Sequence, residues 1–327
     1  MWIDEQQPRG DQVFLCHVGY FVRDLGEAGA AFERLGFQVS PINVLSHADA
    51  EGRQAPGGTS NRLVRLRRGF IEILAATHDT PIADQLKSSL ARYQGLHLIS
   101  ASHDDIPATR ARLAREGFRM QEPVELRRPA KTPAGMREVG WSVQRLEPGE
   151  MPEGRVQFVK SHTPDLSWPA DAIVHENKAD GLGDLLVCVA DRREAAGRFA
   201  RFLGKPPVEE GGRTVFPLER GRILLVEPDG VTALPDFTAP SLPYMAGIAV
   251  RSADLAATAA LLKRRGIRAV HEDADLICLG PADALGSCLL FHRPEVPDPW
   301  LALMESRKGK PLSRNAGEGQ STEVREN

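Results

Sequence analysis

The sequence predicts an α+β protein made of four tandem units, each reading strand, helix, strand, strand, strand. Three observations carry this. A phrase of apolar strand, aspartate, amphipathic helix and glycine occurs four times in order. Further strand-like runs follow each helix. The length of 327 residues exceeds one ordinary core, since domains usually take roughly 100–200 residues. Two domains of two units each are therefore expected.

The first copy spans residues 13–37. An alternating apolar run ends at Asp24, and Leu25, Ala28, Phe32 and Leu35 then share one helical face. Asp24 is suited to cap the helix N-terminus with its carboxylate, and Gly36 to close it in a left-handed conformation. The second copy, residues 95–118, places Asp105 and Gly117 likewise. The third, residues 182–205, has Asp191 and Gly204, and the fourth, residues 245–267, has Asp254 and Gly266. Aspartate and glycine are twelve residues apart in the first, second and fourth copies. The remaining strands are expected at 63–68 and 70–76, 137–146 and 155–161, 213–218 and 222–227, and 275–280 and 287–292.

Residues 163–181 break the periodicity and read as a linker between a first domain, 11–162, and a second, 182–295. The Pro-rich run 228–243 separates units three and four. Gly57-Gly58 lacks the lysine and helix of a phosphate loop and reads as a mobile loop. The tail from 306 to 327 is almost devoid of apolar residues and is expected to be disordered.

Composition excludes several classes. With 41 basic and 44 acidic residues the net charge is -3, so no broad basic field draws in nucleic acid or anionic lipid. No apolar run approaches the ~20 residues of a membrane span, and the first residues lack the basic and apolar regions of a signal peptide. Cys16, Cys188, Cys278 and Cys288 form no C-x-x-C pair and lie among apolar neighbours, as buried free thiols do. A reduced, cytoplasmic, globular protein is expected.

Four βαβββ units in tandem resemble the vicinal oxygen chelate superfamily, which includes glyoxalase I, bleomycin- and fosfomycin-resistance proteins and extradiol dioxygenases. The likeness covers roughly residues 11–295. It implies that paired units form curved mixed sheets, each a cup with helices on its convex side. The run from His17 to Leu25 resembles the family's first strand, with a ligand histidine at its start. The run Phe70-Ile71-Glu72-Ile73-Leu74 resembles the fourth strand with its acidic ligand. His97 matches the ligand position in the second unit, and Gln157 falls where glutamate is usual. The resemblance thus implies a divalent metal ion (zinc, nickel, manganese or iron(II)) held by His17, Glu72, His97 and Gln157.

Pleating supports this placement, because residues two apart on a strand share a face. His17 shares a side with Leu15, Gly19 and Phe21; Glu72 with Phe70 and Leu74; Gln157 with Arg155 and Val159. Glu72, between two isoleucines, calls for a cation nearby. The alternative is that His17 and His97 are satisfied core or pocket histidines and that an arginine pairs with Glu72. Gln157 cannot serve as a general base, since an amide does not titrate in this range. His162 and His175 are the remaining candidates for a catalytic base. The run Arg62, Arg65, Arg67, Arg68 reads as a solvated face from which one arginine can hold an anionic substrate.

The second domain serves as an internal control. Leu224, Gly247 and Leu289 stand opposite Glu72, His97 and Gln157, and Asp184 opposite His17. This domain is expected to be a degenerate partner without a metal, and Asp184, if buried, to need an arginine or a backbone donor. The expected function is that of a metal-dependent lyase or isomerase of glyoxalase type acting on a small oxygen-chelating substrate. The alternatives are a ligand-sequestering protein of bleomycin-resistance type and an iron(II) ring-cleaving dioxygenase. A small molecule is the expected partner; a homodimer is left open.

Overall fold

The computed structural model describes residues 2–48, 54–132, 135–232, 234 and 238–306. The tail expected to be disordered lies, from residue 307 on, outside the described residues.

The first half runs β1 (Phe14–Phe21), α1 (Leu25–Arg34), β2 (Asn43–Ala48), β3 (Gln54–Arg65), β4 (Phe70–Ala76), α2 (Pro81–Arg92), β5 (Gly95–Ser102), α3 (Ile106–Arg115), β6 (Val124–Thr132), β7 (Gly135–Arg145) and β8 (Arg155–Ser161). A short helix, α4 (Pro164–Ser167), leads to the second half. That half comprises β9 (Ala179–Cys188), α5 (Arg192–Leu203), β10 (Val208–Glu210), β11 (Arg213–Pro217), β12 (Arg222–Val226), α6 (Pro228–Val231), β13 (Tyr244–Ser252), α7 (Leu255–Arg264), β14 (His271–Glu272), β15 (Leu276–Leu279), β16 (Cys288–His292) and α8 (Pro299–Glu305). The strands form two eight-stranded mixed sheets, in the orders β2-β3-β4-β1-β5-β8-β7-β6 and β10-β11-β12-β9-β13-β16-β15-β14. One order is the other displaced by eight strands, as an internal duplication requires.

The four helix signatures form as read. Asp24, Asp105, Asp191 and Asp254 each accept a hydrogen bond from the backbone N–H three residues on, at 2.8–2.9 Å. Gly36, Gly117, Gly204 and Gly266 all have positive φ, between 67° and 89°. Three expectations need correction. Gly57-Gly58 lies within β3 rather than in a loop. The second sheet begins at Ala179, inside the segment read as linker. Helix α2 is an addition to the repeat pattern; Thr80 caps it by accepting from the Ala83 N–H at 3.2 Å, and proline opens its first turn.

The convex faces of both sheets bury one shared core. Val18 and Tyr20 of β1, Ile71 and Ile73 of β4 and Phe32 of α1 join Leu185 and Val187 of β9 and Phe199 of α5 in it. The halves also meet through backbone. Leu15 N–H donates to Arg220 O at 2.8 Å, and Leu182 N–H to Arg68 O at 2.9 Å. Each contact sits beside a turn glycine with positive φ, Gly221 and Gly69. A Cβ on Gly69 would lie 2.7 Å from Cys16 O, and one on Gly221 would lie 2.7 Å from Leu15 Cβ. Helix ends are exchanged in the same pseudo-twofold sense. Arg112 of α3 donates to Arg201 O and Phe202 O of α5, while Arg265 beyond α7 donates to Glu33 O and Arg34 O at the end of α1. Each guanidinium satisfies carbonyls that the helix cannot, at the negative end of its dipole.

The concave face of the second sheet is filled by its own chain. Trp300 and Leu303 of α8 are fully buried against Leu186, Leu224, Cys288 and Leu290. Gly247 leaves room for the indole, since a Cβ there would lie 2.8 Å from Trp300 Cη2. Asp184 has the arginine it was expected to need, in a two-bond pair with Arg222 at 2.8 and 2.6 Å. Replacing Trp300 by Ala should therefore empty a packed site and destabilise the protein by about 3–5 kcal/mol. Urea denaturation measures this, and an unchanged midpoint would contradict the plug.

Candidate active site

The concave face of the first sheet is open, and a cavity of about 750 Å³ lies in it. Strand register fixes which side chains line it. One row crosses six strands: Arg65 pairs with Phe70, Phe70 with His17, His17 with Ser100, Ser100 with Gln157, and Gln157 with Arg145. The next row runs Leu63, Glu72, Gly19, Leu98, Arg155. Gly19 is required by the space: a Cβ there would come within 2.7 Å of Leu98 Cβ. Any larger residue would push apart the strands that bear Glu72 and Arg155.

Three of the four expected ligands reach the cup: His17, Glu72 and Gln157 line it. Glu72 Oε1 accepts from Asn61 Nδ2 at 2.6 Å, and its Oε2 lies 3.7 Å from His17 Nε2. The His17 ring stacks on Phe70 with centroids 4.1 Å apart. Gln157 is buried, its Nε2 is 3.5 Å from Ser100 Oγ, and its Oε1 has no hydrogen-bond partner.

His97 is not brought into this group. Between Gly19↔Leu98 and Tyr20↔Leu96 the ladder shifts by one, leaving His97 as the extra residue of a bulge. It is fully buried, stacked on Tyr93 at 3.9 Å, with Nε2 2.9 Å from Tyr93 O. The cup position equivalent to His17 is Leu98, because His17 opposes Phe70 on β4 as Leu98 opposes Arg155 on β8. The sequence carried that signal. His17 is seven residues before its cap Asp24, whereas His97 is eight before Asp105. The same register matches Gln157 with Leu290 in the second half rather than with Leu289.

Neither histidine proposed as a base lines the cup. His175 is buried, with Nδ1 accepting from Gln38 N–H at 2.9 Å and Nε2 2.7 Å from Arg65 O. His162 lies beside Ser142 Oγ at 2.7 Å and Glu125 Oε2 at 3.2 Å, beyond the end of β8. Nor is Arg65 a solvated residue. It is buried in the cup wall, donating to Ser167 O at 2.8 Å.

Sequence reading passed over Arg145 and Arg155, although pleat alternation puts Arg155 on the side of Gln157. Both line the cup. Burial lowers the pKa of Arg155 to about 10; repulsion from Arg145 adds to this and attraction to Glu72 opposes it. Burial likewise raises the pKa of Glu72, against the Asn61 hydrogen bond and the charges of Arg155 and Arg145. Burial alone depresses His17 to about 3, so its imidazole is neutral at physiological pH.

This donor set does not fit a resident divalent cation. It offers one imidazole, one carboxylate and the amide oxygen of Gln157, a weak ligand, where a metal site usually presents three or four good ones. Among the described residues no three His, Cys, Asp or Glu side chains converge. The charges of Arg155 and Arg145 act on the same carboxylate and would repel a cation.

The sequence signature of the glyoxalase-like domain matches residues 15–203, more than half of the chain. No curated protein matches. A hypothetical protein from Staphylococcus aureus shares the fold at a TM-score of 0.61 and 12% identity, over 86% of this chain and 99% of that one. A mutant of 4-hydroxymandelate synthase from Streptomyces coelicolor aligns at 0.51 and 12%, over 90% and 96%. A fusion of a xylose isomerase-like TIM barrel with 4-hydroxyphenylpyruvate dioxygenase aligns at 0.56 and 12%, over 93% of this chain and 54% of that one. At this identity the likeness is one of fold. No helix among the described residues is long and apolar enough to cross a membrane.

The buried imidazole gives a pH test. Its pKa falls from 6.5 to about 3 on folding. Between those values the unfolded chain binds the proton and the native state does not, so stability falls as pH falls. His17→Gln should flatten the loss of stability between pH 6.5 and about pH 3, read as urea midpoints at successive pH values. Parallel curves for the two proteins would count against a neutral, buried His17.

Proposed function

Since the chain belongs to the glyoxalase-like domain family, within the vicinal oxygen chelate superfamily, we propose that it is an enzyme moving a proton at a carbon beside a carbonyl of a small substrate in the first cup. The observation that carries this reading is the Glu72–His17 pair on the cavity wall, with oxygen and ring nitrogen 3.7 Å apart. Asn61 holds one carboxylate oxygen, leaving the other toward the imidazole and the cavity. A carboxylate raised by burial is a stronger base than one in water and operates nearer neutral pH. Glu72 takes the proton from carbon. His17, uncharged, is placed to exchange a proton with Glu72 or with a substrate oxygen. Phe70, Trp141, Val143 and Leu98 supply apolar walls that position the substrate and exclude water.

The metal-dependent form of this reading is set aside because the donor set does not suit a cation, and the reaction is assigned to side chains. Ring-cleaving dioxygenation is set aside on the same ground, because iron(II) oxygenases of the facial type use two histidines and a carboxylate. Sequestration of a ligand without turnover is the competing reading. A cavity of this size suits it, and the test separates the two.

The test is hydrogen exchange in deuterium oxide. Small 2-oxo acids and 2-hydroxyketones are incubated with protein, and loss of the proton beside the carbonyl is followed by ¹H NMR. Wild type should speed the loss for a subset of the panel, and Glu72→Gln should slow it by roughly 10²–10⁴-fold. Retention of a bound compound without exchange supports sequestration, and full exchange by Glu72→Gln removes the proposed base.

A further inference from the structure

The cup carries more positive charge than its own residues balance. Among the described lining residues Glu122 pairs with Arg110, Arg127 with Glu138, and Glu125 with His162. That leaves Arg65, Arg128, Arg145 and Arg155 facing the single carboxylate of Glu72. Arg65 is engaged by Ser167 O. Arg145 and Arg155 are not: their guanidinium groups make no hydrogen bond or close ion pair among the described residues. Arg145 Nε and Arg155 Nη2 are buried without a partner, as is Gln157 Oε1.

Register brings these three side chains together. Arg145 on β7 stands directly opposite Gln157 on β8, and Arg155 is two residues earlier on the same face of β8. Arg155 lies over the Phe21 ring at 5.3 Å, and Trp141 is on the cup face of β7, four residues before Arg145. A buried donor without an acceptor is costly, and native proteins rarely tolerate one without a reason.

We propose that Arg145 and Arg155, beside Gln157, form a binding site for the carboxylate of a small, flat organic acid, whose body extends along the cup toward Trp141. Two guanidinium forks match the two oxygens of a carboxylate. Gln157 can add a donor only through Nε2, which lies 3.5 Å from Ser100 Oγ. A dry apolar wall beside a charged subsite selects an acid with an aromatic or conjugated body over a bare inorganic anion. This assignment names the substrate class for the proton-transfer site and rests on that reading only for the chemical step, not for binding itself.

The probes are benzoate, its neutral isostere benzamide, and inorganic phosphate, titrated into the full chain with and without EDTA. The signal is tryptophan fluorescence, with Trp141→Phe identifying the reporter. Benzoate should quench saturably below about 10 mM. Benzamide, Arg155→Met and Arg145→Met should each weaken binding by roughly tenfold or more. Glu72→Gln should keep or tighten benzoate binding while abolishing proton exchange, so the two proposals fail separately. Equal affinity for benzamide and benzoate, stronger binding of phosphate, loss of binding caused by EDTA, or no binding of benzoate would each overturn the assignment. The benzoate–benzamide comparison needs only wild type, so it decides the question even where an arginine variant does not fold.

Discussion

A carboxylate withdrawn from water needs a compensating charge or dipole, and Glu72 is the group on which the first cup is organised. Isolated in a dry wall, its ionised form would cost several kcal/mol. Asn61 supplies one hydrogen bond, and Arg155 and Arg145 supply field from the second unit's strands of the same cup. Neither guanidinium closes onto the carboxylate as an ion pair. Glu72 is therefore held in place yet remains basic, whereas Asp184 in the other half is clamped by Arg222 in a two-bond pair. The duplicated cup thus holds a poised carboxylate in one half and a structural ion pair in the other.

The duplication explains why one cup is free. Both sheets commit their convex faces and four helices to a common core, and each lends a turn to a central strand of the other. Only the concave faces remain. In the second half, apolar replacements such as Leu224 and Leu290 accept the indole of Trp300, and the cup becomes core. In the first half, polar residues on the equivalent strands face no such plug among the described residues and line the cavity. Stability and chemistry are thereby divided between the halves.

Much of the fold was legible because it is written locally and repeated. An aspartate before a helical face and a glycine after it specify their own hydrogen bonds, and four copies leave little freedom for another topology. The error at His97 came from non-local geometry. A β-bulge inserts one residue, and alternation beyond it changes face. Counting back from the cap aspartate corrects for this and points to Leu98. Other features were illegible for a related reason. The burial of Arg65 and the confinement of Arg145 depend on strands far apart in sequence being curled into one cup, and nothing in a run such as Val-Gln-Arg reveals that curvature. Helix α8 lies between the second domain and the tail as read from sequence, and nothing local to it shows that Trp300 fills a concave face.

The internal repeat also shows how the cup came to favour an anion. Glu72 and Gln157 occupy equivalent places on β4 and β8, two residues beyond Phe70 and Arg155 respectively. A glutamate at both positions would balance the charges of Arg145 and Arg155. With glutamine at 157 one of those two charges is left over, and the unsatisfied guanidinium nitrogens mark where it resides. Phe70 at the position matching Arg155 stacks on His17 and puts no charge at that place in the first unit. The asymmetry sets a direction across the cavity, with base on one wall and cationic anchor on the other. A bound acid is thereby oriented with its carboxylate away from Glu72, which removes the like-charge repulsion that would otherwise keep an anionic substrate from an anionic base.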